Sequence, residues 1–184
     1  MSDQPHAVHF TSARTRSGAD EWTTPPALVQ AIADRLGLWF ALDVACESGN
    51  VIHGATGLCH DRGEDALRRD WSKWLHHPRW AAWCNPPYSD CAAWLAKCCD
   101  EGQRAPVVAL VPARTDTRYW HAHVMGAERH ADLILLLKGR VKFGDPTGKG
   151  RANSAPFPSA VLVWDPKRRT GRAHVEAWDW RAGT

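Results

Sequence analysis

Asn85-Pro86-Pro87-Tyr88 is the stretch whose residue types and order suit chemistry as well as folding. It ends an apolar run, Trp80 to Cys84, that reads as a buried strand. Ser89 after it is a residue type that caps helices, here one expected to begin at Asp90. The side-chain oxygen of Asn85 and the carbonyl of Pro86 make a pair of hydrogen-bond acceptors. Such a pair suits an amine whose lone pair is delocalised into a ring. Accepting from both N–H groups draws the nitrogen toward tetrahedral geometry and frees the lone pair for an electrophilic carbon. Prolines suit the task because they fix φ, and Pro87 has no N–H to compete for an acceptor. Tyr88 offers a face on which a flipped-out base would stack. The amine turns acidic after attack, so placement and electrostatics suffice without a strong base. The same four residues also make a rigid turn, so the rest of the chain must decide between the two uses.

The chain has 184 residues, which fits one domain with a substantial core. Hydrophobic residues make up 44% and charged residues 23%, an ordinary balance for a soluble globular protein. Eleven Trp are read mainly as core and loop-anchoring aromatics. There is no apolar run of membrane-spanning length and no basic-then-apolar leader at the N-terminus, so the expected location is the cytoplasm. Among six Cys no C-x-x-C pair occurs, and Cys91 and Cys98 share a helix face with Trp94 and Leu95. Cys46, His53, Cys59 and His60 cluster within fifteen residues, but their irregular spacing favours reduced, buried thiols over a metal site. No metal is expected.

The formal charge of +3 is modest, but its distribution is uneven. Lys138, Arg140, Lys142, Lys149 and Arg151 stand against a single acid, Asp145, and Lys167-Arg168-Arg169 with Arg172 form a second cluster. Both patches fit a phosphate backbone, and both also fit solvated loops.

Several elements must position the turn. Residues 1–19 lack periodicity and read as a flexible arm, with a core domain over 20–165 and a basic tail over 166–184. Thr24 as N-cap and Pro25 at the first helical position open a helix with Leu28, Ile32 and Leu36 on one face and Gly37 as its stop. Strands are expected at Leu38 to Cys46, Pro106 to Val111, Ala131 to Leu137 and Ser159 to Trp164, with short ones at Val51-Ile52 and Ala55 to Cys59. Val175 to Trp178 reads as an edge strand. Helices are expected at Asp90 to Glu101 and about Asp116 to Met125, and a helical turn at Glu64 to Arg69. Alternating helices and continuous apolar strands mean an α/β fold, its mostly parallel sheet covered on both faces. Only 26 residues separate Asp43 from Asp70, so the region between them must be trimmed. Asp43 is anomalous within an apolar run. A buried acid needs donors, either backbone amides of the next turn or a ligand at the strand's carboxyl end.

The order T-T-P-P (23–26), L-D-V-A (42–45), D-W (70–71) and N-P-P-Y (85–88) resembles amino-methyltransferases that use S-adenosylmethionine. More closely, D-E-W-T-T-P, L-D-V-A, W-C-N-P-P-Y-S, P-A-R-T-D-T, L-K-G-R-V-K-F and N-S-A-P-F-P-S-A resemble phage-type (Dam-related) DNA N-6-adenine methyltransferases. The resemblance runs from about Asp20 to Trp164 and implies a Rossmann-like methyltransferase fold, S-adenosylmethionine as cofactor and DNA as partner. It implies that Trp22, Thr23, Thr24 and Pro25 meet the methionine end of the cofactor. Asp43 would hold the methionyl amine, Asp70 the adenine amino group of the cofactor, and Asn85, Pro86, Pro87 and Tyr88 would be catalytic. Arg114, Arg140, Lys142, Phe143 and Phe157 are the candidates for substrate or DNA contact, with one of the two Phe facing the flipped base or both anchoring loops. The glycine-rich loop of the wider superfamily shrinks to C-E-S-G-N (46–50), and Glu47, Asp61 and Glu64 are candidates for the ribose. N-P-P-Y occurs also in enzymes that methylate RNA bases and protein amides. RNA adenine, cytosine N4 and protein amides are therefore alternative acceptors, and a non-catalytic DNA-binding module is the alternative class. A phage or prophage role in protection from restriction, in a bacterial host cytoplasm, is the expected setting.

Overall fold

Apolar side chains alternate along the strands and sort onto the two faces of a seven-stranded sheet. The computed structural model describes residues 23–47, 49, 51–127, 130–144 and 153–182. In chain order, α1 (Pro26–Leu36) is followed by β1 (Trp39–Cys46) and β2 (Thr56–Cys59). Three 3₁₀ turns (His60–Arg62, Ala66–Arg68, Trp71–Trp74) lead to β3 (Trp80–Cys84). A fourth, Tyr88–Asp90, precedes α2 (Cys91–Glu101), β4 (Val107–Pro112), α3 (Arg118–His123) and β5 (Leu133–Leu137). A small ribbon of β6 (Lys142–Phe143) and β7 (Asn153–Ser154) comes before β8 (Ser159–Trp164) and β9 (His174–Trp178).

The strand order is β2-β1-β3-β4-β8-β5-β9. Only β8 runs against the others, antiparallel to both β4 and β5. Val107, Ala109 and Val111 of β4 join Leu162 and Trp164 of β8 beneath α2 and α3. Val108 and Leu110 face the other way, with Trp83, Val161 and Val163, beneath Leu28, Ile32 and Leu36 of α1. The result is a mixed α/β fold with helices on both faces. Trp71, Trp83, Trp120 and Trp164 are fully buried, as core aromatics.

Several local expectations shift. Pro25 takes the N-cap place of α1 and Pro26 the first helical position, one residue later than the sequence reading, with no side-chain cap from Thr24. Gly37 does stop the helix, with φ 66, a conformation that a Cβ disfavours. Ser89 lies inside a 3₁₀ turn and does not cap α2. Val51-Ile52 is not a strand, and α3 is shorter than its predicted span. Between β1 and β3 the described residues contain no α-helix; the 3₁₀ turns make the crossover, which is how so short a stretch fits. The stretch set apart as a basic tail, 166–184, contributes β9 to the same sheet. The predicted N-terminal arm lies outside the described residues.

None of the six cysteines forms a disulfide, and all six are buried. The Cys46 and Cys59 sulfurs stand 3.1 Å apart, while His53 and His60 are exposed. Among the described residues no group of three or more His, Cys, Asp or Glu is arranged to hold a metal ion. Among the same residues no helix is long and apolar enough to cross a membrane.

Candidate active site

β1 and β3 are parallel neighbours, with Asp43 in register with Trp83, so Asp43 and Asn85 lie toward the same carboxyl edge of the sheet. In open α/β sheets that edge is where ligands bind. Asp43 is 4% exposed, and its carboxylate accepts from the amides of Ala45 (3.3 Å) and Ile52 (3.1 Å). Backbone amides are thus among the donors that the sequence reading required. Their effect is to fold the loop after β1 back over the strand end. The amide of Ile52 carries no sequence signature, which is why this partner was not foreseen.

At the end of β3 the two prolines are buried and Asn85 is partly exposed. The Tyr88 hydroxyl donates to Asn85 Oδ1 at 3.1 Å, which fixes the rotamer of the amide. An amide oxygen has two lone pairs and can accept from more than one donor. Burial pushes the Tyr88 phenol well above its ordinary pKa, so it stays a hydrogen-bond donor across the neutral range. Its ring meets Phe157 edge-on (centroids 5.2 Å, 84°) and Phe143 at 6.3 Å and 68°. Phe143 is 1% exposed and belongs to the core under α1, so it anchors the ribbon; Phe157 is partly exposed.

Thr23 pairs with Gly144 through two backbone hydrogen bonds, N–H to O at 3.3 Å and 2.9 Å. That bridge brings Thr23, the buried Thr24 and Pro25 alongside Phe143 and hence Tyr88. Trp22 lies outside the described residues. The guanidinium of the exposed Arg114, two residues beyond β4, lies over the Phe157 ring at 5.9 Å. Arg140, on the loop beyond β5, and Lys142, at the start of β6, are exposed. Lys149 and Arg151 of the same basic stretch lie outside the described residues.

Asp70 is not brought to this group. It is exposed, its Oδ1 accepts from the Ser72 amide (3.1 Å) and hydroxyl (2.6 Å), and these bonds hold its carboxyl below the usual range. The next residue, Trp71, donates its N–H to Glu101 at the far end of α2 (3.2 Å). Ten helical steps separate that end from the start of α2 beside Tyr88, about 15 Å along the axis. Asp70 caps a turn there. At the carboxyl ends of β1 and β2, Glu47 accepts from the amide of Asp61 (3.1 Å), and Glu64 accepts from the amide of Cys59 (2.8 Å).

The second basic cluster also lies at the other end of the sheet. Lys167 donates to the Pro78 carbonyl before β3 (3.2 Å), and Arg168 to Leu36 at the end of α1 (3.0 Å). Arg169 reaches Gln103 (2.7 Å) and the Gly102 carbonyl past α2 (3.4 Å), with the buried Asp132 3.8 Å from its Nε. Arg168 and Arg169 thus cover the C-termini of α1 and α2, where positive charge is favourable.

An α/β sheet with an acceptor-bearing turn and a ring of aromatics at its carboxyl edge is the layout of an open-sheet enzyme. The family model of DNA N-6-adenine-methyltransferase (Dam) matches residues 11–177, and the chain belongs to that family. Family membership points to a transferase that methylates adenine N6 in DNA. No curated protein and no solved structure matches the chain.

Proposed function

We propose that this protein is a Rossmann-like, S-adenosylmethionine-dependent methyltransferase acting on N6 of an adenine flipped out of duplex DNA. The observation that carries the reading is the Asn85-to-Tyr88 turn at the sheet's carboxyl edge, its amide oxygen held by the Tyr88 hydroxyl. Asn85 Oδ1 and the Pro86 carbonyl accept from the two N–H groups of the target amine, and the lone pair turns toward the methyl donor. Tyr88 stacks on the base, and Phe157, edge-on to Tyr88, borders the same pocket with Arg114. Loss of the amine proton to water completes the exchange, since the alkylated nitrogen is strongly acidic.

The donor set suits the cofactor's methionine end. Thr23 and Thr24 offer hydroxyls, and the Asp43 carboxylate, a multiple acceptor, takes the amine directly or through water. When bound, the cofactor supplies an electrophilic methyl group on sulfonium sulfur. The position of Asp70 does not suit the adenosine end. Glu47 and Asp61, at the ends of β1 and β2, are better placed for the ribose hydroxyls. Arg140 and Lys142 grip phosphates, which positions the duplex without reading its sequence. Such activity belongs in the bacterial cytoplasm with the DNA, where phage or prophage modification would protect against restriction.

The test is transfer of labelled methyl groups to defined DNA, RNA and peptides, followed by sequencing of DNA from expressing cells for N6-methyladenine. Label in DNA adenine is the expected result, and the sequencing reveals the target site. Label confined to RNA, cytosine or protein overturns the reading.

A further inference from the structure

We propose that the C-terminal segment, β9 with residues 179–182, is a positioning element for the basic loop 138–142 and thereby sets how tightly DNA is held. The inference rests on the function proposed above, in which Arg140 and Lys142 meet phosphates. β9 runs parallel to β5 in register from Leu133 with His174 to Leu137 with Trp178, so the two strands end together at the site's edge of the sheet. Beyond that end the segments stay joined. The Lys138 amide donates to the Trp178 carbonyl (2.9 Å). Arg181 donates from Nη1 to the Lys138 carbonyl (3.3 Å) and from Nη2 to the Arg140 carbonyl (3.1 Å). Lys138 Nζ pairs with Asp179 (2.8 Å), and the Arg181 guanidinium lies 4.4 Å over the Trp180 ring. Trp178 and Trp180 pack against the core under α1, which ties the strap to the body of the protein.

This arrangement does two things to the loop. It holds the backbone on both sides of Gly139, whose φ of 76 already marks a tight turn. A loop ordered before binding loses less conformational entropy when it closes on a phosphate. It also engages Lys138 with Asp179, so that Arg140 and Lys142 present the loop's outward charge. Arg181 itself acts through carbonyls and needs no contact with DNA.

The experiment compares the full-length protein with Arg181→Ala and Arg181→Lys, using a duplex carrying the site found by genomic sequencing. Hydrogen exchange is followed in peptides covering 138–144. For Arg181→Ala we expect faster exchange in those peptides and a KM for DNA raised about fivefold, the scale of one or two lost hydrogen bonds. The expectation for kcat and cofactor affinity is no change. Arg181→Lys should resemble Ala, because a point ammonium lacks the planar fork that spans two carbonyls. Unchanged exchange and KM in Arg181→Ala overturn the proposal. Recovery of DNA affinity by Lys also overturns it, since a direct phosphate contact would then explain the effect. Failure of the parent protein to bind or methylate any DNA would instead refute the proposed function, while exchange at 138–144 still decides whether the strap positions the loop.

Discussion

Asn85 is where the reaction is most exposed to a single change. Its side-chain oxygen is oriented by the Tyr88 hydroxyl, and in the proposed mechanism it is the side-chain acceptor for the target amine. Asn85→Ala is expected to reduce methyl transfer at least 100-fold, on the scale of lost oriented dipoles, and to leave cofactor affinity within a few-fold. Normal turnover by that variant sinks the mechanism. Tyr88 gives a pH signature. In the unfolded chain its phenol ionises near pH ~10, whereas burial in the folded protein holds it protonated to higher pH. The folded-state value is the raised one. Its stabilising contribution is therefore complete well below pH ~10 and is lost as pH rises through it, by about 1 kcal/mol over the first unit above. Urea unfolding at pH ~9 and ~11 should show a larger loss in the parent protein than in Tyr88→Phe. Tyr119 and the buried thiols shift in the same direction, so only the difference between the two proteins reports Tyr88. Equal losses assign the effect to those other groups.

At the level of elements, two glycines that both follow helices do different work. Gly37 has φ 66 and open space where a Cβ would stand, so Gly37→Ala costs only the strained turn, about 1 kcal/mol. Gly102 has ordinary helical angles, but its Cβ would lie 2.3 Å from Cβ of Trp164 on β8. Gly102→Ala must push helix and strand apart and should cost about 3 kcal/mol in denaturant unfolding. Equal costs would show that the close approach of α2 to β8 is unimportant. The contrast also marks what was legible in the sequence. Trp80–Cys84 and Ser159–Trp164 were readable as strands to the residue because uninterrupted apolar runs admit little else, and Leu28, Ile32 and Leu36 fixed the buried face of α1. Exchange of N-cap between Thr24 and Pro25 was not readable, since both offer ordinary helix-entry chemistry. Nor was the displacement of Asp70: D-W has the right composition, but the reach of Glu101 to the Trp71 amide across 30 residues has no local signature. Asp43 and Asn85 were read near strand ends from the apolar runs, and both lie toward the carboxyl edge of the sheet, whereas Thr23 entered only through the family resemblance. The amide of Ile52 and the fork of Arg181 are backbone and long-range contacts, which residue types do not announce.

The whole molecule separates its two basic clusters by the length of the sheet, although their sequences look equally suited to phosphate. Arg140 and Lys142 are exposed at the carboxyl edge with the candidate site. Lys167, Arg168 and Arg169 are engaged at the amino edge with three carbonyls, Gln103, Asp165 and Asp132. Asp132 is fully buried, and its Oδ1 has no hydrogen-bond partner, so the Arg169 guanidinium 3.8 Å away is its nearest compensation. Opposite outcomes follow for the two clusters. Lys142→Ala should weaken DNA binding, lower the slope of log affinity against log salt by about one, and leave the unfolding midpoint in place. Arg169→Ala should lower stability by about 1–3 kcal/mol, a range kept below that of a fully buried pair because the arginine is 40% exposed, and should leave DNA affinity and its salt slope unchanged. Binding isotherms at several salt concentrations, paired with urea unfolding of the same preparations, read both effects. A salt slope that falls in Arg169→Ala as it does in Lys142→Ala would mean that DNA wraps to the amino edge, and the division of charge between grip and brace would be wrong.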